Sequence, residues 1–236
     1  MVVYTPCVLI TGTSRGLGAA LAQAYLTAGE QVIGCARGTA TIEHANYRHY
    51  SVDVSDKLSV SQMFADLREK KLVPRLLVNN AALSQMKLTP FTSAQSARDI
   101  LNVNLLGTFF ICQETLSLMQ RHRFGRIVNL CSISVPLATV GNSLYNATKA
   151  GLDAMGHSLA NECKTYDITV NSIGLSHVAN TGMANALNEA AIAALKGLLM
   201  KPKLLETSEI VAAIDFFASK EARNITGQIL YFGGVR

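Results

Sequence analysis

Thr11-Gly12-Thr13-Ser14-Arg15-Gly16-Leu17-Gly18 is the stretch on which the fold turns. It follows a short apolar run, Cys7 to Thr11, and leads at once into the helical pattern Leu17 to Ala28, so its glycines fall where a strand becomes a helix. Glycine permits a tight turn and a close approach of backbone to ligand. The following helix adds N–H groups and partial positive charge at its N-terminus. These are the parts of a pyrophosphate cradle, with Gly12, Ser14, Arg15, Gly16, Leu17 and Gly18 as expected contacts. A glycine-rich turn can also be merely structural; the strand-turn-helix setting argues against that here.

Outward from this turn the chain keeps alternating. Short apolar strands are expected at Cys7 to Thr11, Gln31 to Ala36, His49 to Val52, Leu76 to Asn79, Arg126 to Cys131, Ile168 to Ile173 and Gln228 to Phe232. Helical patterns lie near Leu17 to Ala28, Lys57 to Lys70, Ser96 to Arg121, Leu144 to Tyr166, Ala184 to Met200 and Ser208 to Ala218. The order predicts an α/β fold of the Rossmann type, a doubly wound parallel sheet of about seven strands with helices on both faces and ligands at the carboxyl ends of the strands. The connection Arg37 to Arg48 is too short and too poor in apolar periodicity for a helix and reads as a loop or single turn. No repeat with a period of about 20 to 50 residues is visible. The 236 residues contain no Pro/Gly/Ser-rich linker, so a single domain over 1–236 is expected.

Composition narrows the classes. With 49% hydrophobic and 16% charged residues the chain has material for a core and too little charge for disorder. Its longest apolar stretches, such as Leu105 to Cys112 and Ile192 to Met200, fall short of the roughly 18 apolar residues of a membrane span. Met1 to Ile10 lacks a basic leader and a cleavage site, which points to a cytoplasmic protein. The five cysteines are odd in number and widely spaced, as free buried thiols would be. Without a CxxC pair or a His cluster, no metal is expected. The net charge of +5 raises nucleic acid as a partner, but the basic residues are scattered apart from Arg121, His122, Arg123 and Arg126. That cluster reads as a solvated helix end, where cations complement the macrodipole. Neither nucleic acid nor membrane is an expected partner.

Two further constellations carry chemistry. After the second strand, where an acidic residue would serve unphosphorylated ribose hydroxyls, stand Ala36 and Arg37. A guanidinium binds a phosphate well, and Arg15 supplies a second one, so the pair points to NADP(H). Taken singly, Arg37 could be a solvated surface cation. In Tyr145-Asn146-Ala147-Thr148-Lys149 a phenol and an ammonium share one helix face. Ser132 precedes Tyr145 by 13 residues, at the end of the expected strand Arg126 to Cys131. A free phenol titrates near pH ~10, and a neighbouring cation favours its ionised form. Lys149, with the positive charge of an oxidised nicotinamide, is expected to lower the Tyr145 pKa and make it a usable acid/base. Ser132 is placed to donate to a carbonyl oxygen as charge develops there. The plainer alternative makes Ser132 a cap and Tyr145 and Lys149 surface positions.

Taken together, the TGxxxGxG turn, Asn79-Asn80-Ala81-Ala82, Ser132, Tyr145 and Lys149 resemble the short-chain dehydrogenase/reductase family. The resemblance runs over essentially the whole chain, to Thr226-Gly227-Gln228 and Gly233-Gly234. It implies that Asp53 and Val54 of Val52-Asp53-Val54-Ser55 hold the adenine and that Asn80 and Ala81 line the cofactor. It also implies that Lys149 bonds the nicotinamide ribose and that Asn104 of Asn102-Val103-Asn104-Leu105 holds a water of a proton relay. Asn104 is preferred to Asn102, and Ser132 to Ser134, by spacing against the family pattern. The implied activity is NADPH-dependent reduction of a ketone to an alcohol, or the reverse, with Tyr145 as acid/base. Association through the helices Ser96 to Arg121 and Leu144 to Tyr166, as homodimer or homotetramer, is implied as well.

The chain departs from the family pattern at several points. Ala82 replaces a glycine, Leu175-Ser176 replaces a PG pair, an extra residue precedes Met183, and Phe232 stands before Gly233 where an aspartate is common. Val178 and Thr181 are therefore expected cofactor contacts on an altered loop. The expected substrate lining, Leu83, Ser134, Leu137, Ala138, Val140, Leu144, Leu175 and Met183, is largely apolar and points to a small, mostly apolar carbonyl or alcohol. His177 reads as a solvated loop residue. Two alternatives stand beside this reading. Arg123-Phe124-Gly125-Arg126-Ile127 resembles 3-oxoacyl-carrier-protein reductases, although Tyr166-Asp167 occupies the place of their second basic residue. A non-catalytic NADP-sensing protein is the other, and the intact Ser132, Tyr145 and Lys149 argue against it.

Overall fold

The computed structural model describes residues 4–84, 86–179 and 197–235. Their seven strands form one parallel sheet: β1 (Thr5–Thr11), β2 (Val32–Ala36), β3 (Tyr47–Ser51), β4 (Leu72–Asn79), β5 (Phe124–Ser132), β6 (Asp167–Leu175) and β7 (Ile229–Tyr231). The order across the sheet is β3-β2-β1-β4-β5-β6-β7. The chain winds outward from β1 to one edge and then returns to the other side of β1, which opens a crevice between the ends of β1 and β4.

Strand periodicity divides the core in two. Val8 and Ile10 of β1 face one side with Leu21, Ala22 and Tyr25 of α1 (Gly16–Thr27). Cys7 and Leu9 face the other, with Val60, Met63 and Phe64 of α2 (Lys57–Glu69). The helices α3 (Ala94–Leu101), α4 (Thr108–His122) and α5 (Ser143–Glu162) follow, and α4 and α5 join α2 on its face. The last described helix, α6 (Thr207–Ala218), lies with α1 and buries Ile210, Ile214 and Phe217.

Three boundaries differ from the sequence reading for physical reasons. First, β4 starts at Leu72 rather than Leu76. The register slips there, with Cys7 opposite Pro74 but Val8 opposite Leu76, which takes up a proline that has no N–H for the ladder. Second, β3 begins at Tyr47 and ends before Val52, because Tyr47 is the residue that pairs with Val32. Third, the expected helix Ser96 to Arg121 is α3 and α4 joined by a π-helical turn, Asn102–Gly107. Gly107 sits against Val54 so closely that a Cβ would lie 2.8 Å from its Cγ2, so only glycine lets the widened turn dock there. Such turns recur at functional sites. Of the connection expected as a loop over Arg37 to Arg48, residues Arg37 to Asn46 are loop and Tyr47 and Arg48 belong to β3. Most of the helix expected over Ala184 to Met200, together with Thr181 and Met183, lies outside the described residues.

Candidate active site

The cradle is built at the switch between β1 and β4. Gly12 and Gly16 adopt φ of 76° and 58°, the left-handed region in which glycine is at ease. Gly18 is required for another reason: a Cβ there would lie 2.2 Å from the Gly12 carbonyl oxygen and 2.5 Å from Asn80 Nδ2. Asn80 ties the two strand ends together. Its Nδ2 donates to the Thr11 and Gly12 carbonyls at 2.8 and 3.3 Å, while the Asn80 and Ala81 backbone N–H groups both donate to Thr11 Oγ1. Ala82 has no positive φ, so its methyl is accommodated where the family has glycine.

Arg15 is the N-cap of α1, exposed, and makes no side-chain capping bond to the helix. The first turn of α1 carries no acidic side chain to offset this positive end. Arg37 and Gly38 are exposed at the end of β2, where a Cβ on Gly38 would be 3.6 Å from Ser14 Cβ. Thr41 Oγ1 donates to the Ser14 carbonyl across the same gap at 3.2 Å. Arg15 and Arg37 thus belong to adjoining loops on one rim. Asp53 follows β3 half-buried, with Oδ1 accepting from the Ser55 N–H and Oγ at 2.9 and 2.6 Å, and Val54 beside it is buried. An open glycine turn and a helix N-terminus without a side-chain cap fit a dinucleotide pyrophosphate.

The reacting groups meet at the end of β5. Ser132, its last residue, pairs with Leu175 of β6, whose carbonyl accepts from the Ile133 N–H at 3.0 Å. Leu175 therefore extends β6 where a PG pair would end it. Tyr145 and Lys149, on the inward face of α5, are only 8% and 4% exposed. Burial pushes the Tyr145 phenol up to about 12, with a hydrogen bond from Ser132 opposing the rise. The lowering expected of Lys149 beside an oxidised nicotinamide belongs to the cofactor-bound state. In the chain alone desolvation wins, and Lys149 spends its ammonium on the Leu130 carbonyl at 2.7 Å, with Nζ 5.8 Å from the Tyr145 ring centroid. Burial holds the lysine pKa itself below the usual range.

Asn104 is fully buried, and its side-chain amide is committed to protein partners. Oδ1 accepts from the Leu83 N–H at 2.7 Å, and Nδ2 donates to the Leu83 carbonyl at 2.9 Å and to Thr148 Oγ1 at 3.1 Å. The side chain is a brace for the segment after β4. Sequence reasoning missed Thr148, which also donates to the Tyr145 carbonyl at 2.7 Å and so links Asn104 to the reacting helix. Its place between Tyr145 and Lys149 was the available signal.

Val178, an expected cofactor contact, is buried and bridges to Leu205; the ladder bonds are made by the residues on either side of it, His177 and Ala179. Its side chain joins the α1/α6 core. The basic cluster also divides. Arg121 and His122 end α4 as expected, but Arg126 lies in β5, 1% exposed, over the Phe124 ring and paired with Asp167 at 2.8 Å. Beside Tyr145 lies a narrow recess lined by Leu144 and Ile100; Lys87 and Gly141 line both it and a separate open crevice of about 260 Å³ walled by Met86, Leu88 and Val140. Among the described residues no group of three His, Cys, Asp or Glu could hold a metal, and no helix is long and apolar enough to cross a membrane.

Residues 6–192 match the family model described as short chain dehydrogenase. The chain belongs to that family. Along 232 residues this dehydrogenase is 32% identical to the 3-oxoacyl-(acyl-carrier-protein) reductase FabG of Salmonella typhimurium, covering 96% of the chain and 95% of the relative. A solved, provisionally assigned gluconate dehydrogenase from Agrobacterium tumefaciens superposes with a TM-score of 0.89 at 26% identity, covering 98% of this chain and 95% of that one. A short-chain dehydrogenase from Leptospira borgpetersenii, solved with NAD+, gives 0.87 at 24% identity over 99% and 96%, a likeness of fold. The protein is an oxidoreductase acting on CH–OH/C=O groups with a nicotinamide cofactor.

Proposed function

We propose that this dehydrogenase uses NADPH to reduce a small, mostly apolar ketone to the alcohol, or runs the reverse reaction. The observation that carries the reading is the convergence of Ser132, Tyr145 and Lys149 at the end of β5, next to the glycine cradle on β1. When bound, the nicotinamide supplies or accepts the hydride. Gly12, Ser14, Arg15, Gly16, Leu17 and Gly18 hold the pyrophosphate, Arg15 and Arg37 the 2′-phosphate, and Asp53 and Val54 the adenine. Asn80 and Ala81 border the nicotinamide half. Ser132 donates to the carbonyl oxygen. Tyr145, which burial keeps protonated at neutral pH, gives it the proton. Lys149 turns from the Leu130 carbonyl to the nicotinamide ribose, placing its charge beside the phenol, and Asn104 holds the Leu83 segment that walls the substrate space. Leu144 and Ile100 beside Tyr145 support a mostly apolar substrate.

The test is a panel of ketones with NADPH consumption followed by absorbance, run in parallel with NADH. Tyr145→Phe should cut turnover by at least ~100-fold while NADPH still binds. Tight NADPH binding without turnover of any ketone would leave the NADP-sensing alternative instead. A cytoplasmic location and a homodimer or homotetramer belong to the same proposal, the latter supported by exposed Leu101, Leu106 and Phe109 on the α3–α4 path.

A second reading, a 3-oxoacyl-carrier-protein reductase, is favoured by the name of the 32%-identical relative. Exposed Arg121 and His122 could meet an acidic carrier, whereas Arg126 is buried against Asp167 and unavailable. Turnover of a carrier-bound ketone compared with its free counterpart separates the two.

A further inference from the structure

Ser132 is not alone at its position. Ser134, two residues on, is 9% exposed and directs both of its donors back: its backbone N–H lies 3.1 Å and its hydroxyl 2.8 Å from Ser132 Oγ. A serine hydroxyl has two lone pairs and one proton. With both lone pairs occupied by Ser134, the proton is what Ser132 has left to give. Ser132 also acts on Tyr145, holding its phenol lower than burial alone would. We propose that Ser134 is a positioning residue that fixes Ser132 as a hydrogen-bond donor toward the reacting oxygen.

The inference rests on the roles given to Ser132 and Tyr145 above and adds what makes Ser132 work in one direction. Were Ser134 to lack its hydroxyl, Ser132 would have a vacant lone pair, and the phenolic proton of Tyr145 could turn into it, away from the substrate. Two bonds received also polarise the hydroxyl that gives the third, since hydrogen bonds in a chain strengthen one another. A donor locked before reaction needs no reorganisation when charge develops on the carbonyl oxygen. The groups facing Tyr145 are Ser132 and the Cys131 thiol from β5 and Lys149 from its own helix. Of these, only Ser132 touches Ser134. The hydroxyl expected among the substrate-lining residues is thus engaged by the catalytic serine.

The experiment compares Ser134→Ala and Ser134→Thr with the wild-type full chain by two measurements. One is kcat for NADPH and a turned-over ketone; the other is the titration of the Tyr145 phenol in the NADP+ complex, where the positive nicotinamide brings it below the alkaline transition of the fold, by 13Cζ-tyrosine NMR, assigned through Tyr145→Phe. Ser134→Ala should lower kcat roughly tenfold, the scale of one lost hydrogen bond. It should leave NADPH affinity within about twofold. Its phenol should titrate higher, by about half a pH unit, because a Ser132 no longer held as donor stabilises the phenolate less. Ser134→Thr, which keeps the hydroxyl, should restore both. Wild-type kcat and titration in Ser134→Ala overturn the proposal, and so do equal losses in both variants with the titration unmoved, which would mark a packing role. If the wild-type protein turns over no ketone, the functional reading fails on its own, and the NMR titration still decides the role of Ser134.

Discussion

Asn104 grips the backbone of Leu83 from both sides, accepting from its N–H at 2.7 Å and donating to its carbonyl at 2.9 Å, 21 residues away in the chain. A side-chain amide paired this way imitates a strand neighbour. It holds the segment after β4 against the π-helical turn, where no ladder could reach. Truncation strands a part-buried donor and acceptor on Leu83, at a cost below the roughly 1–3 kcal/mol of each fully buried group left unpaired. Asn104→Ala should therefore lower the urea midpoint and reduce kcat together, because the wall of the substrate space loosens with the fold. A variant with wild-type stability and turnover would show that the Leu83 segment is held by other means.

Gly16 and Gly18, two residues apart, should respond differently to one added methyl. Gly16 has φ of 58° and nothing within 4 Å of an added Cβ, so Gly16→Ala carries the left-handed penalty of about 1–2 kcal/mol and no clash. Gly18 has the reverse problem, backbone and Asn80 where the methyl would go. Gly18→Ala must part β1 from the Asn80 turn, and NADPH affinity should fall well below that of Gly16→Ala at matched protein folding. Equal affinities, measured by quenching of cofactor fluorescence, would mean that the tie between Gly12 and Asn80 does not shape the cradle.

Legibility in the sequence followed the reach of each interaction. The cradle and the Ser132, Tyr145 and Lys149 set were readable because each depends on spacing within one strand-to-helix connection. The Asn104 brace was not, since Leu83 presents only backbone and leaves no mark in its side chain. Arg126 was misread for a related cause: it neighbours Arg123 in sequence, but strand alternation turns it into the protein, to Asp167. The expected strand began only at Leu76, and the slipped pairing with β1 shows how β4 runs from Leu72 through Pro74. The π-helical turn escaped because a single widened turn hardly disturbs the apolar period of a long helix.

Arg37 lies exposed beside the Ser14 loop, with Arg15 on the same rim, and both should bear on which cofactor binds. Losing one charge-assisted contact of about 1.5–3 kcal/mol corresponds to roughly 10- to 100-fold in affinity. Arg37→Ala should raise the Kd for NADPH by that factor and leave the Kd for NADH nearly unchanged, with a smaller effect for Arg15→Ala because its backbone still caps α1. The ratio of the two dissociation constants is the measurement. A parallel loss for both cofactors would assign Arg37 to general binding rather than to the 2′-phosphate.

Alkaline pH should destabilise the protein earlier than its surface charges would. Burial raises the thiols of Cys7, Cys35 and Cys112 from 9.0 to about 12, and the Tyr145 phenol from 10.0 to about 12. Each group keeps its proton longer in the folded chain than in the unfolded one. Above pH 9 the folded state therefore binds more protons, and stability falls with rising pH by linkage. The contribution is fully present below the unfolded values and is lost as pH climbs through the folded ones. Each fully engaged group adds a slope of about 1.4 kcal/mol per pH unit in that window. The urea midpoint should hold level between pH 7 and pH 8 and then drop steeply by about pH 10.5. Cys35→Ala removes one such group, so its curve should start lower, for the lost packing, and descend less steeply than wild type. Parallel curves would show that Cys35 does not stay protonated inside the sheet.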